Sequence, residues 1–146
     1  MQSTVVLTDG MAFEADVEGF TVSVDANREY GGQGKGPRPK ALVLAALAGC
    51  TAMDVISILR KMRVQVDQFE VEATGEMVDT HPKVFSRITV TYRLRGPKLP
   101  GTKVARAVEL SEERYCPVNA MLRPSVELKR VIVINGSPLV EQPTCQ

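Results

Sequence analysis

The sequence predicts an α+β fold with mainly antiparallel sheets and a buried central helix. Three observations predict it. Several segments alternate apolar and polar residues with period two, as half-buried strands do. One long segment, Pro39 to about Met62, is apolar almost all round and has the spacing of a helix enclosed by protein. The elements also run β-β-β-α-β-β-α-β, which segregates strands from helices. With 146 residues, 44% of them hydrophobic and 24% charged, the chain has the balance of a single globular domain, 1–146.

The elements follow in order. Thr4–Leu7 is β-branched and apolar, and Asp9-Gly10 turns it back; Met11, Phe13, Ala15 and Val17 alternate with polar partners. Glu18-Gly19 turns again, and Phe20, Val22 and Val24 complete an antiparallel meander. Residues 25–39, rich in Gly and Pro, must be an exposed loop, and Pro39 suits a first helical turn, where its missing N–H is no loss. The helix that follows turns amphipathic late, with Asp54, Ser57, Arg60 and Lys61 reading as a wet face. A helix so apolar is hard for one small sheet to cover, so a second subunit is expected to cover part of it.

A strand beginning at Val64 comes next, with a bulge or break near Asp67, then a turn at His81-Pro82-Lys83. Ile88, Val90, Tyr92 and Leu94 alternate more cleanly than any other segment. A helix is predicted over about 102–113 with Thr102 as its cap, followed by a short helical turn capped by Cys116 with Pro117 at its first position. Val126 to Ile134 reads as the last strand, and 137–146, which includes Cys145, as a loosely attached tail.

Composition excludes several functions. Eighteen basic and 17 acidic residues leave a net charge of +1, which is not the strong basic field of a nucleic-acid binder. The apolar run Ala41–Met53 is shorter than the roughly 20 residues a membrane span needs, and the N-terminal segment lacks a secretory pattern. A cytoplasmic protein is expected. Three widely spaced cysteines are not a disulfide framework. No C-x-x-C pair exists and His81 is the only imidazole, so no metal is expected; the metal alternative is a site of Cys50, Cys116, His81 and one carboxylate. Gly31–Gly36 lacks the phosphate-loop pattern, which removes nucleotide binding.

Thiol chemistry remains. Cys50 lies mid-helix, where an unpaired cysteine is commonly a small buried hydrophobe. Gly49 beside it costs helix stability and points to a close approach by a substrate or a second helix. Cys116 at an N-cap faces unpaired N–H groups, which favour the thiolate, although it reads equally well as a plain cap. Together they suggest a pair in which one thiolate attacks an O–O bond and the second thiol condenses with the resulting sulfenic acid.

Gly-Gly-x-Gly-x-Gly (31–36), Pro39, the helix segment Leu-x-Leu-Ala-Ala-Leu-Ala-Gly-Cys ending at Cys50, and Tyr-Cys-Pro-Val (115–118) together resemble the OsmC/Ohr superfamily of osmotically inducible and organic hydroperoxide resistance proteins. The resemblance implies an intertwined homodimer that reduces small organic hydroperoxides, with Cys50 attacking and Cys116 resolving. It implies no metal or organic cofactor, and a dithiol reductant such as a lipoyl group. In the peroxidase branch a glutamate follows the helix-start proline and pairs with an earlier arginine that holds the attacking thiolate. Here Lys40 follows Pro39 and no arginine precedes Arg28, so Arg28, Arg38 and Lys40 are the candidate thiolate-stabilising cations. The chain looks closer to the uncharacterised OsmC-like branch. The alternative reading is therefore a redox-responsive or small-ligand-binding dimer without turnover.

Overall fold

A computed structural model describes residues 1–143, with side chains accounted for through Leu139. Cys145, at the end of the expected tail, lies outside the described residues. The chain divides into two compact units, residues 1–43 and residues 44–146.

The first unit is the expected meander. β1 (Ser3–Asp9), β2 (Ala12–Val17) and β3 (Phe20–Val24) form one antiparallel sheet in that order. The glycine loop that follows is organised by Asp25. Its carboxylate accepts the backbone N–H groups of Gln33 at 2.9 Å, Lys35 at 3.1 Å and Ala26 at 2.8 Å. Gly32 and Gly36 pass so close to the Ala26 and Ser23 carbonyls that any side chain there would collide with backbone. The loop is thus a fastened structure, with a short 3-10 turn at Arg28–Tyr30.

α1 (Pro39–Lys61) begins at the predicted proline and runs 23 residues. Its buried positions are Leu47, Thr51, Val55 and Leu59, a single i, i+4 stripe, so the enclosure expected on every side is not met within one chain. Ala45, Ala46 and Met53 stay exposed. The close approach expected at Gly49 is absent too, since a Cβ there would meet nothing within 4 Å. By length and composition alone α1 could cross a membrane. Its buried stripe instead joins the core of the second unit, with Ile88, Tyr92, Leu94, Val104, Val108 and Ile132.

That core rests on a four-stranded sheet in the order β4 (Gln68–Met77), β5 (Phe85–Arg95), β6 (Glu127–Ile134), β7 (Ser137–Pro143). β5 buries Ile88, Val90, Tyr92 and Leu94 on one face, as the alternation predicts. On its other face Arg93 pairs with Glu70 and Glu72, and Arg87 with Glu127, so the basic face is laced by cross-strand ion pairs.

Three expectations change. β4 starts at Gln68 rather than Val64, the chain bending at Asp67 where the sequence allows a break, and a register shift falls between Glu76 and Met77. The pairing is mainly antiparallel, as expected, with β6 running parallel to β5. The expected tail forms β7 through residue 143, an edge strand where prolines cost no ladder bond that matters to a neighbour. The second helix, α2 (Gly101–Leu110), starts with Pro100 rather than Thr102 at its N-cap. It then loosens into a π-helical turn, Ser111–Tyr115, before the short α3 (Pro117–Leu122).

Candidate functional site

The π-helical turn delivers Cys116 to its place. Its backbone N–H closes the turn onto the Ser111 carbonyl at 2.8 Å, and the chain then extends for one residue before Pro117 starts α3. Cys116 is the N-cap that the sequence predicts, with its sulfur accepting the Asn119 N–H at 3.4 Å. Cys50 comes from the middle of α1. The two sulfurs and a carboxylate oxygen of Asp54 all lie within 4.8 Å of one another. Both cysteines are free thiols, Cys116 buried and Cys50 half-buried.

Asp54 departs from the sequence expectation. The amphipathic pattern puts it on the wet face of α1, whereas it is half-buried beside the sulfurs. The available signal was its spacing, since a residue four beyond Cys50 must share its helix face.

Behind the sulfurs lies a belt of buried polar groups that sequence reasoning also missed. Thr51 Oγ1 meets the Tyr92 hydroxyl at 2.8 Å and Ser111 Oγ at 2.9 Å. Ser111 Oγ donates to Asp54 Oδ2 at 3.1 Å. The Tyr92 hydroxyl donates to Glu112, which also receives Arg130 at 2.8 Å. Arg123 donates to the Glu112 carbonyl oxygen and to Asn119 Oδ1, returning to the residue whose N–H the Cys116 cap accepts. Burying so many polar groups is tolerable when they bond one another, and a network in which most of them do fixes side-chain positions, although Arg123 Nε has no hydrogen-bond partner among the described residues.

The electrostatics depart from expectation at Cys116. Burial pushes its thiol up to about 12, and the neighbouring Cys50 and Asp54 push in the same direction. The Asn119 N–H pulls it down but does not prevail. The thiolate expected from an N-cap is therefore overridden by desolvation, and Cys116 carries its proton at neutral pH. Burial also raises the Tyr92 phenol far above its ordinary value and raises the Glu112 carboxyl, the latter opposed by Arg130.

Asp54 also lines an open cleft of about 380 Å³, whose other walls include Ile58, Lys61, Met62, Leu110 and Tyr115. The cleft has mixed aliphatic, aromatic and charged walls, and Asp54 links it to the sulfur pair. Among the predicted cations, Arg28 opens the 3-10 turn of the first unit and Arg38 directly precedes α1. Lys40 sits in the first turn of α1, ten residues and about 15 Å of helical rise before Cys50. His81 lies exposed in the turn between β4 and β5 and is not in the sulfur–carboxylate group.

Residues 31–130, which carry the glycine loop, α1 and the Cys-Pro turn, match the family model described as OsmC-like protein. The chain belongs to the OsmC family. Among its OsmC relatives it is 37% identical over 129 residues to Protein YhfA of Escherichia coli (strain K12), covering 88% of this chain and 93% of that one. A crystal structure of a protein from Aquifex aeolicus VF5 superposes with a TM-score of 0.82 at 28% identity, covering 92% of this chain and 95% of that one. An organic hydroperoxide resistance protein from Legionella pneumophila superposes with a TM-score of 0.65 at 18% identity, covering 91% and 97%. At that identity it shares the OsmC fold and nothing further. The expected superfamily is therefore the right one, and its two cysteines stand close enough for redox use.

Proposed function

We propose that the protein reduces small organic hydroperoxides with its paired thiols, Cys50 attacking and Cys116 resolving. The observation that carries this reading is the meeting of two sulfurs, 66 positions apart in sequence, within 4.8 Å. The Cys50 thiolate attacks the peroxide; an S–O bond forms, the O–O bond breaks, and the alcohol leaves with a proton. Cys50 is now a sulfenic acid. Cys116 then attacks the Cys50 sulfur, the S–S bond forms, and hydroxide leaves as water with the Cys116 proton. A dithiol reductant of the lipoyl class returns both thiols by exchange.

The raised Cys116 thiol supports this division of labour, because a buried thiol that keeps its proton is a poor first nucleophile. A cation drawn from Arg28 and Arg38, or from Lys40 of a second copy, is proposed to hold Cys50 ionised. The working protein is proposed to be a cytoplasmic homodimer, with the second copy covering the exposed Ala45, Ala46 and Met53 of α1.

Cys50→Ser is expected to abolish consumption of cumene hydroperoxide in the presence of dihydrolipoamide while leaving the circular dichroism unchanged. Turnover by that variant at the wild-type rate would overturn the assignment. A second reading, a redox-responsive or ligand-binding dimer without turnover, is favoured by one observation: a carboxylate, Asp54, stands where the chemistry wants positive charge. Counting free thiols after one equivalent of hydroperoxide separates the two. Rapid loss of two thiols, restored over repeated cycles by dihydrolipoamide, supports the enzyme; slow loss at several-fold excess supports the sensor.

A further inference from the structure

We propose that the reduced protein binds one thiophilic divalent cation of the zinc(II) class between Cys50 Sγ, Cys116 Sγ and the Asp54 carboxylate. Three donors from three places on two helices converge here. In a tetrahedral zinc site two thiolate sulfurs stand about 3.8 Å apart, as bonds of about 2.3 Å require. The donors already lie within 4.8 Å of one another, so rotation of half-buried side chains closes the remaining distance.

The surroundings are those of a ligand set with its supports in place. Ser111 Oγ donates to Asp54 Oδ2 and is itself held by Thr51, while Asn119 N–H donates to the Cys116 sulfur. Such outer hydrogen bonds orient metal ligands and hold one geometry. Three protein ligands leave the fourth position of a tetrahedral ion to water or to a small molecule, and Asp54 opens onto the cleft from which either would come. The histidine of the sequence-level alternative is not part of this group, and Asp54 supplies the unnamed carboxylate.

The balance is simple. One divalent ion enters, the Cys116 proton and any proton still on Cys50 leave to solvent, two metal–sulfur bonds and one metal–oxygen bond form, and nothing is oxidised. Metal-bound thiolates cannot at the same time form the disulfide, so the cation-loaded state and the oxidised state exclude one another. The inference needs only the reduced thiols and does not rest on peroxide turnover.

The test is a titration of fully reduced, full-length protein with cobalt(II) under anaerobic conditions and without peroxide, followed by displacement with zinc(II). The expected result is one equivalent per chain, thiolate-to-cobalt charge-transfer absorption, and loss of both thiols to a thiol reagent until a chelator is added. Asp54→Asn, which keeps an acceptor for Ser111, is expected to weaken zinc binding roughly tenfold or more. His81→Ala is expected to leave it unchanged. Absence of charge-transfer absorption, an Asp54→Asn affinity equal to wild type, or loss of binding in His81→Ala would each overturn the proposal. Peroxide assays run in excess chelator keep the two readings apart, since turnover there neither requires nor reports the cation.

Discussion

At Asp25 a single carboxylate closes a ten-residue span of loop on backbone N–H donors alone. The Lys35 N–H, then the Gln33 N–H, then that of Ala26 hold its carboxyl below the ordinary value. A depressed folded value means that the stabilisation is present above the usual carboxylate range and is lost as pH falls through the folded value. Amide exchange at Gln33 and Lys35 is therefore expected to be slow at neutral pH and to accelerate, relative to the β2 amides, on acidification below about pH 4. Asp25→Asn is expected to show fast exchange at both amides already at neutral pH; protection equal to wild type would mean that the glycines hold the loop unaided. The cysteines were legible in sequence because their neighbours, Gly49 and Pro117, are unusual for ordinary core residues. Asp54 was not, since amphipathic bookkeeping along one helix counts any carboxylate as wet. Only the π-helical turn, which brings Ser111 to bond its carboxylate, leaves it half-buried.

The two sides of α1 differ in what they touch, and substitutions should differ accordingly. Leu47 is fully buried in the core cluster, whereas Met53 is 71% exposed. Leu47→Ala is expected to cost about 2–5 kcal/mol in urea unfolding, the range for a large core side chain removed without collapse of the site. Met53→Ala is expected to fall within about 0.5 kcal/mol of wild type at concentrations where single chains predominate. Equal effects would contradict the one-sided burial. Elements with a strong internal period were readable in advance: β5 alternates over its whole length, and α1 starts at its proline. Pairing was less readable, because nothing within β6 states that its neighbour is β5 running in the same direction. β7 was missed because Pro138 and Pro143 argue against a central strand, and an edge strand escapes that argument. The cap of α2 was misjudged by two residues because Thr102 has the right chemistry while the chain turns at Pro100.

For the whole molecule, the unburied side of α1 is the feature that the proposed homodimer must explain. Ala45, Gly49 and Met53 follow one another at i, i+4 spacing, so two small residues leave a shallow track that ends at the exposed Met53. Light scattering is expected to give twice the chain mass for the wild type. Gly49→Leu, whose Cβ would meet nothing within 4 Å inside its own chain, is expected to yield a folded protein of single-chain mass. A dimer that survives this change would place the second copy elsewhere. The parallel pairing of β5 with β6 carries a consequence of its own. Arg87 lies opposite Glu127, and the connection between the strands holds α2, the π-helical turn and α3, with Cys116 among them. Such distant partners join late, because a long loop must close before any contact rewards it. A nascent chain still short of Glu127 therefore lacks the strand that fastens the far end of that connection, even though Ser111 and Glu112 already have Thr51, Asp54 and Tyr92 to bond. The segment carrying Cys116 is thus tied to the sheet at both ends only once β6 has been made.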